Sequence, residues 1–170
     1  MNIKKILCIS LVAVAIVFSL SVVSAGWFDS TIDVDGIQFN IPSGYDEGNT
    51  SDYSIERYIE GVEEDYENYS VDTKVFEKDT PDPQHPGVAV YPHYIVISVI
   101  SDAEDLSLEN VTNYTELSDK TVNNKEGLIN SSDTSYGKDL SEFYYVENGK
   151  LVRIYLYDPG DIGLENIIIE

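Results

Sequence analysis

The stretch Ser141-Glu-Phe-Tyr-Tyr-Val-Glu-Asn-Gly-Lys-Leu-Val-Arg-Ile-Tyr-Leu-Tyr157 decides the fold. Asn148-Gly149 separates two runs rich in aromatic and β-branched residues. A two-residue type I′ turn needs φ > 0 at both central positions, which Asn and Gly supply. That loop length sets the register: Glu147 faces Lys150, Val146 faces Leu151, Tyr145 faces Val152, Tyr144 faces Arg153 and Phe143 faces Ile154. Successive side chains leave opposite sides of a strand, so each surface follows from the register. Phe143, Tyr145, Val152, Ile154 and Leu156 form one face, which is expected in the core. Glu142, Tyr144, Val146, Leu151, Arg153, Tyr155 and Tyr157 form the other, rich in tyrosine and half wet.

A second hairpin spans Thr31 to Ile41 and turns at Asp35-Gly36. Val34 pairs with Ile37 and Ile32 with Phe39, and these four share a face with Ile41. Thr31, Asp33, Gln38 and Asn40 share the other face, the pattern of a half-buried antiparallel pair. Pro42 and Gly44 end it. The two buried faces together predict one antiparallel sheet.

The region Asp52 to Tyr69 fits two templates. Ile55, Ile59, Val62, Tyr66 and Tyr69 follow helical spacing. Gly61, the missing capping box and the like charges Glu60, Glu63, Glu64, Asp65 and Glu67 weigh against a helix. Tyr53, Ile55, Arg57 and Ile59 alternate as a strand does, so a short strand followed by an acidic loop is expected. Val71 to Glu77 and His93 to Ile100 are expected strands, the second a β-branched run suited to a central position. Between them, Pro81, Pro83, Pro86 and Pro92 predict an extended loop over 79–93 that stays out of any ladder. Leu106, Leu108, Val111, Tyr114 and Leu117 predict a short helix over one sheet face. Thr121 to Ile129 suggests a small hairpin about Asn123-Asn124, and Asp161 can cap a last short helix through Ile169. With no internal repeat, residues 26–170 form one expected α+β domain, an antiparallel sheet of hairpins with one or two short covering helices.

Residues 1–25 have the pattern of a targeting segment. Lys4 and Lys5 precede an apolar run from Ile6 to Val23, and Val23-Ser24-Ala25 supplies the small residues of a cleavage site. The same run, if uncleaved, is long enough to anchor the chain in a bilayer. Either way the expected location is outside the cell membrane or at the envelope, with membrane contact only through residues 1–25 if they are retained. The single cysteine, Cys8, lies within that segment, so the remainder has neither disulfide nor thiol. The formal charge of −21 repels phosphate backbones, which makes nucleic acid a poor partner and favours solubility.

Catalytic signatures are absent from the sequence. No Gly-x-Ser-x-Gly element, phosphate-binding glycine loop or dinucleotide fingerprint occurs, and no cofactor is implied. His85 and His93 flank the proline loop near Asp79 and Asp82, where solvated loop residues account for them better than a metal site. Asp33-Val-Asp35-Gly36 resembles the start of a calcium loop, but Gly44 stands where the bidentate glutamate belongs. The chain is therefore expected to be no enzyme and to hold no metal. Five acceptor sequons do stand out, at Asn49, Asn68, Asn110, Asn113 and Asn130, all in expected loops or exposed helix.

The pattern of Val34 to Tyr45, then Lys120-Thr-Val-Asn-Asn-Lys-Glu-Gly127, then Asn148-Gly-Lys-Leu-Val152 resembles that of small exported proteins of methanogenic archaea. The resemblance covers most of residues 26–170 and rests on turns and core positions. It implies an antiparallel sheet with a few covering helices, similar to the PsbP-like α+β architecture, and carries over no catalytic residue. The long proline loop departs from the pattern.

Three roles follow as expectations: a binding module at the envelope, a structural or accessory envelope component, and, weakest, an enzyme acting on wall polymer. The partner of a binding module would be an envelope polymer or a surface protein. Its expected contact face carries Tyr144, Arg153, Tyr155 and Tyr157, whose rings and guanidinium suit sugar or peptide. The competing reading puts a helix, such as Leu108 to Leu117, over that face.

Overall fold

The computed structural model describes residues 28–48, 52–81, 90–102, 106–111, 117–133, 139–157 and 162–170. Nine strands and one helix are described: β1 (Phe28–Val34), β2 (Ile37–Pro42), β3 (Asp46–Glu47), α1 (Tyr53–Asp65), β4 (Ser70–Pro81), β5 (Val90–Ser101), β6 (Ser118–Val122), β7 (Lys125–Asp133), β8 (Asp139–Glu147) and β9 (Lys150–Tyr157). Strands β3 to β9 build a seven-stranded sheet in the order β3-β4-β5-β9-β8-β7-β6, with every pairing antiparallel. The fold is α+β, as the patterning predicts.

The registers of the two hairpins agree with the turn argument. Glu147 pairs with Lys150 and Phe143 with Ile154, while Val34 pairs with Ile37 and Ile32 with Phe39. The hairpins do not share a sheet, however. Strands β1 and β2 form a separate two-stranded sheet. Its apolar side faces that of the large sheet, and Val34, Ile37, Phe39 and Ile41 pack with Ile95, Ile97, Phe143, Tyr145, Val152, Ile154 and Leu156. Two facing apolar surfaces bury more area than one sheet closed on water, which explains the second layer. Ile32, near the open end of the pair, is only partly buried.

The C-terminal segment closes this layer. Asn40 N–H donates to the Ile167 carbonyl at 2.9 Å, and Phe39 bridges to Ile168. The Asn123-Asn124 turn, both residues at positive φ, connects β6 to β7 as expected. Asn123 Nδ2 donates to the carbonyls of Glu165 and Ile168 at 3.0 and 2.8 Å, so this turn also clamps the chain end. In place of a helix through Ile169 the described part has a single 3₁₀ turn, Leu164–Asn166, and Asp161 lies outside the described residues.

The opposite face of the large sheet carries α1, where a strand and loop were expected. Asp52 caps it, its carboxylate accepting the Ser54 N–H at 2.8 Å, so no capping box is needed. Ile55, Val62 and, just beyond the helix end, Tyr66 are buried, with Tyr58 and Ile59 partly so. That apolar stripe outweighs the like-charge repulsion, because Glu60, Glu63 and Glu64 all point to solvent. The helix expected between Leu106 and Leu117 is represented, among the described residues, by one 3₁₀ turn at Leu108–Asn110. Leu106, Leu108, Val111 and Leu117 still pack on this face, beside α1.

Strand β5 is central and buried on both sides, in line with its unbroken β-branched run. The ladder between β4 and β5 reaches further than expected, since Asp79 pairs with Pro92 and Pro81 with Val90. Pro92 is tolerated because it lies past the last β5–β9 pair, Tyr94 with Tyr157, where no ladder donor is required. Residues 82–89 of the proline loop, and residues 1–25, lie outside the described residues.

Candidate functional site

The tyrosine-rich face of the β8–β9 hairpin is not an open surface. Helix α1 lies across it, taking the place that the segment near Leu108 was expected to fill. Tyr144 is fully buried, and Arg153, Tyr155 and Tyr157 are only partly exposed. The Tyr58 ring of α1 stacks on Tyr155 with centroids 4.1 Å apart. The Arg153 guanidinium lies over the rings of Tyr58 and Tyr144, at 4.7 and 5.4 Å. Glu142 is buried beside them and accepts from Tyr58 Oη at 2.7 Å and Arg153 Nε at 2.6 Å. Burial first, then the Glu142 charge, pushes the Tyr58 and Tyr144 hydroxyls well above the usual phenol range. These residues hold neutral phenols against a paired carboxylate. Of the two readings of this face, a covering helix is the one the structure has, supplied by α1, so Tyr144, Arg153, Tyr155 and Tyr157 are not an exposed contact face.

An open concavity among the described residues lies at one end of the strands. The Asp35-Gly36 turn, the Asn148-Gly149 turn, the last residues of β5 and the first of β4 meet there. Ser70 pairs with Ser101 at the end of the β4–β5 ladder. Together Asp35, Ser70, Ser101, Asp102, Asn148, Gly149 and Lys150 line a groove of about 500 Å³. Lys150, the first residue of β9, ties two turns distant in sequence. Its Nζ stands 2.8 Å from Asp35 Oδ2 and donates to the Asp35 carbonyl at 2.5 Å. Hydrogen bonds from Lys150 and then Ser101 hold the Asp35 carboxyl below the usual carboxylate range.

The backbone around the groove is in the left-handed region at Asp35, Gly36, Asp102, Asn148 and Gly149, with φ of 45°, 78°, 68°, 53° and 77°. Asp and Asn tolerate this region better than most side chains. The Asp33 carboxylate adds support by accepting the Gly36 N–H at 2.8 Å. Turn residues therefore present carboxylate, amide, hydroxyl and ammonium groups to one shared space. The lining contains no large apolar side chain. Both turns are legible as sequence, but Ser101 and Asp102 carry no motif, and Ser70 only the last position of a sequon. Their place in the groove exists only once β4 and β5 pair.

Other singled-out residues fall elsewhere. His93 sits in β5, as the strand expected from His93 to Ile100 has it, and is not a solvated loop residue: it lies opposite Lys78, half-buried, with Nε2 bonded to Thr80 Oγ1. His85 lies outside the described residues, as do Asn49 and Asn113. Asn110 falls in the 3₁₀ turn at Leu108–Asn110. Asn68 is exposed, in the turn between α1 and β4. Asn130 was expected in a loop but is half-buried in β7, paired with Glu142. Compared with protein-family models, curated proteins and solved structures, the chain matches none.

Proposed function

We propose that the chain is an exported binding module of the cell envelope, and that the groove between its turns takes a hydroxyl-rich envelope polymer. The observation that carries this reading is the convergence of seven polar or glycine positions from four separate segments on one groove. A volume of about 500 Å³ is in the range of small-ligand sites, which span roughly 300–1,000 Å³. Apolar ligands need apolar walls, whereas these walls offer both donors and acceptors, the complement of a sugar's hydroxyls.

The direction of the chain supports the same reading. Residues 1–27 join the domain at Phe28, the far end of β1 from the Asp35-Gly36 turn. Seven extended residues separate the two ends, roughly 20 Å at about 3.3 Å per residue. The groove therefore lies at the end of β1 remote from Phe28. In an export role with residues 1–25 retained as an anchor, the groove then points outward.

Cosedimentation of the full-length protein with envelope polymer isolated from the source organism tests the proposal. Retention with the polymer, reversed by soluble fragments of it, is expected. A protein that stays in the supernatant at every polymer concentration contradicts the binding role.

A further inference from the structure

We propose that Asn68 is a glycosylated residue, carrying an N-linked oligosaccharide at the rim of the groove. This rests on the export reading above. Asn68-Tyr69-Ser70 is an acceptor sequence with no proline at its centre. The transfer forms a bond from Asn68 Nδ2 to the anomeric carbon of an oligosaccharide. The bond from that carbon to the phosphate of its lipid carrier breaks, the carrier leaves as a lipid phosphate, and the amide gives up one proton. The donor is thus a lipid-phosphate-linked oligosaccharide, and the reaction belongs to the membrane face from which exported chains emerge.

The structure separates Asn68 from the other sequon whose side chain is described. Asn130 lies half-buried in β7, directly opposite Glu142, which is itself buried against Arg153 and Tyr58. A sugar on Asn130 would compete for that space. Asn68 is exposed, and so are Glu67 before it and Ser70 after it. The turn around it is anchored from below. Tyr69 N–H donates to the Tyr66 carbonyl at 2.9 Å, and the Tyr66 and Tyr69 rings meet edge to face at 6.1 Å. Both rings pack into the apolar cluster beneath α1, which leaves Asn68 as the outward position of the turn.

Its location gives the modification a role. Ser70, the third sequon residue, lines the groove, so a glycan on Asn68 stands two residues from the groove wall. That is the end of the domain remote from Phe28. The glycan narrows the approach from the β4 side and leaves access past Asn148 and Asp102.

Mass analysis of the Asn68 peptide, from full-length protein recovered from the source organism, tests this. The expected result is an oligosaccharide mass on Asn68 that is lost in Asn68→Gln and Ser70→Ala and kept in Ser70→Thr. Protein recovered outside the membrane with an unmodified Asn68 overturns the proposal while leaving export intact. Protein confined to the cytoplasm overturns the export reading, and this proposal with it.

Discussion

Arg153 and Glu142 form an ion pair sealed under α1, with Nε and Oε1 2.6 Å apart and side chains only 12% and 9% exposed. They sit on neighbouring strands, one step off direct opposition, because Arg153 pairs with Tyr144 and Glu142 with Tyr155. Tyr58 of the helix donates to the same carboxylate oxygen, so one acceptor joins helix and sheet. Removing Arg153 leaves the Glu142 carboxylate buried without its cation, whereas removing Glu142 leaves Arg153 only the more distant Asp65 carboxylate, 3.9 Å from Nη1. Arg153→Ala and Glu142→Ala should each cost about 3–5 kcal/mol in denaturant melts. Replacing both with Leu should cost clearly less than the sum, because no lone charge remains. Additive losses would contradict the pairing.

The core between the two sheets depends on Ile154, fully buried opposite Phe143. Ile154→Ala should lower stability by about 2–5 kcal/mol, as truncation of a buried aliphatic does. A loss under about 1 kcal/mol, the scale of surface substitutions, would place Ile154 on the wrong side of the strand.

Two glycines should respond in opposite directions. Gly61 lies inside α1, and an added Cβ would meet nothing within 4 Å. Gly61→Ala should therefore stabilise by roughly 0.5–1 kcal/mol through its helix propensity. At Gly127 an added Cβ would fall 2.0 Å from the Tyr144 carbonyl oxygen, with the Phe143 ring also under 3 Å away. Backbone cannot yield as a flexible side chain does, so Gly127→Ala should destabilise by about 1–3 kcal/mol or more. Thermal melts of both variants decide the matter.

Alkaline pH should loosen the helix-bearing face first. Burial, aided by the Asp52 carboxylate, pushes Tyr94 up to about 12, and burial with Glu142 does the same for Tyr155. In the unfolded chain both titrate near the ordinary value of 10. The stability they contribute is complete below pH 10 and is lost as pH rises from 10 through 12. Tyrosinate absorbance and circular dichroism, followed together, should show ionisation of these groups accompanying unfolding. Full tyrosine ionisation at pH 10 to 11 with the fold intact would contradict their burial.

The hairpins were legible because a two-residue turn leaves the register no freedom, and each register sorts apolar from polar residues cleanly. Their separation into two facing sheets was not, since alternation tells which face is buried but not what it is buried against. Helix α1 was misread for a related reason. Gly61 and the glutamates are local costs, while the gain from covering Tyr155, Arg153 and Val96 is tertiary and has no local signature. The local clues were the helical spacing of Ile55, Ile59, Val62, Tyr66 and Tyr69 and, at the helix start, Asp52 two residues before Ser54. For the same reason the cover over the tyrosine face was expected from the segment near Leu108 and not from α1. The groove was half visible: Asp35-Gly36 and Asn148-Gly149 were marked as turns, but only the packing of β1–β2 on the large sheet brings Lys150 to Asp35.

The claim that binding resides in the groove, and not on the covered tyrosine face, is tested most directly by titrating envelope polymer into three purified proteins. These are the wild type, the groove variant Asp102→Asn with Asn148→Asp, and Tyr155→Ser. Asn and Asp are interchanged at positions of positive φ, so the groove backbone is kept while its charges and donors change. The groove variant should melt like the wild type and bind at least tenfold more weakly, about 1.4 kcal/mol. Tyr155→Ser should lose its stack on Tyr58 and melt at lower temperature, yet keep wild-type affinity while folded. Unchanged affinity in the groove variant, with binding lost in folded Tyr155→Ser, would contradict the account.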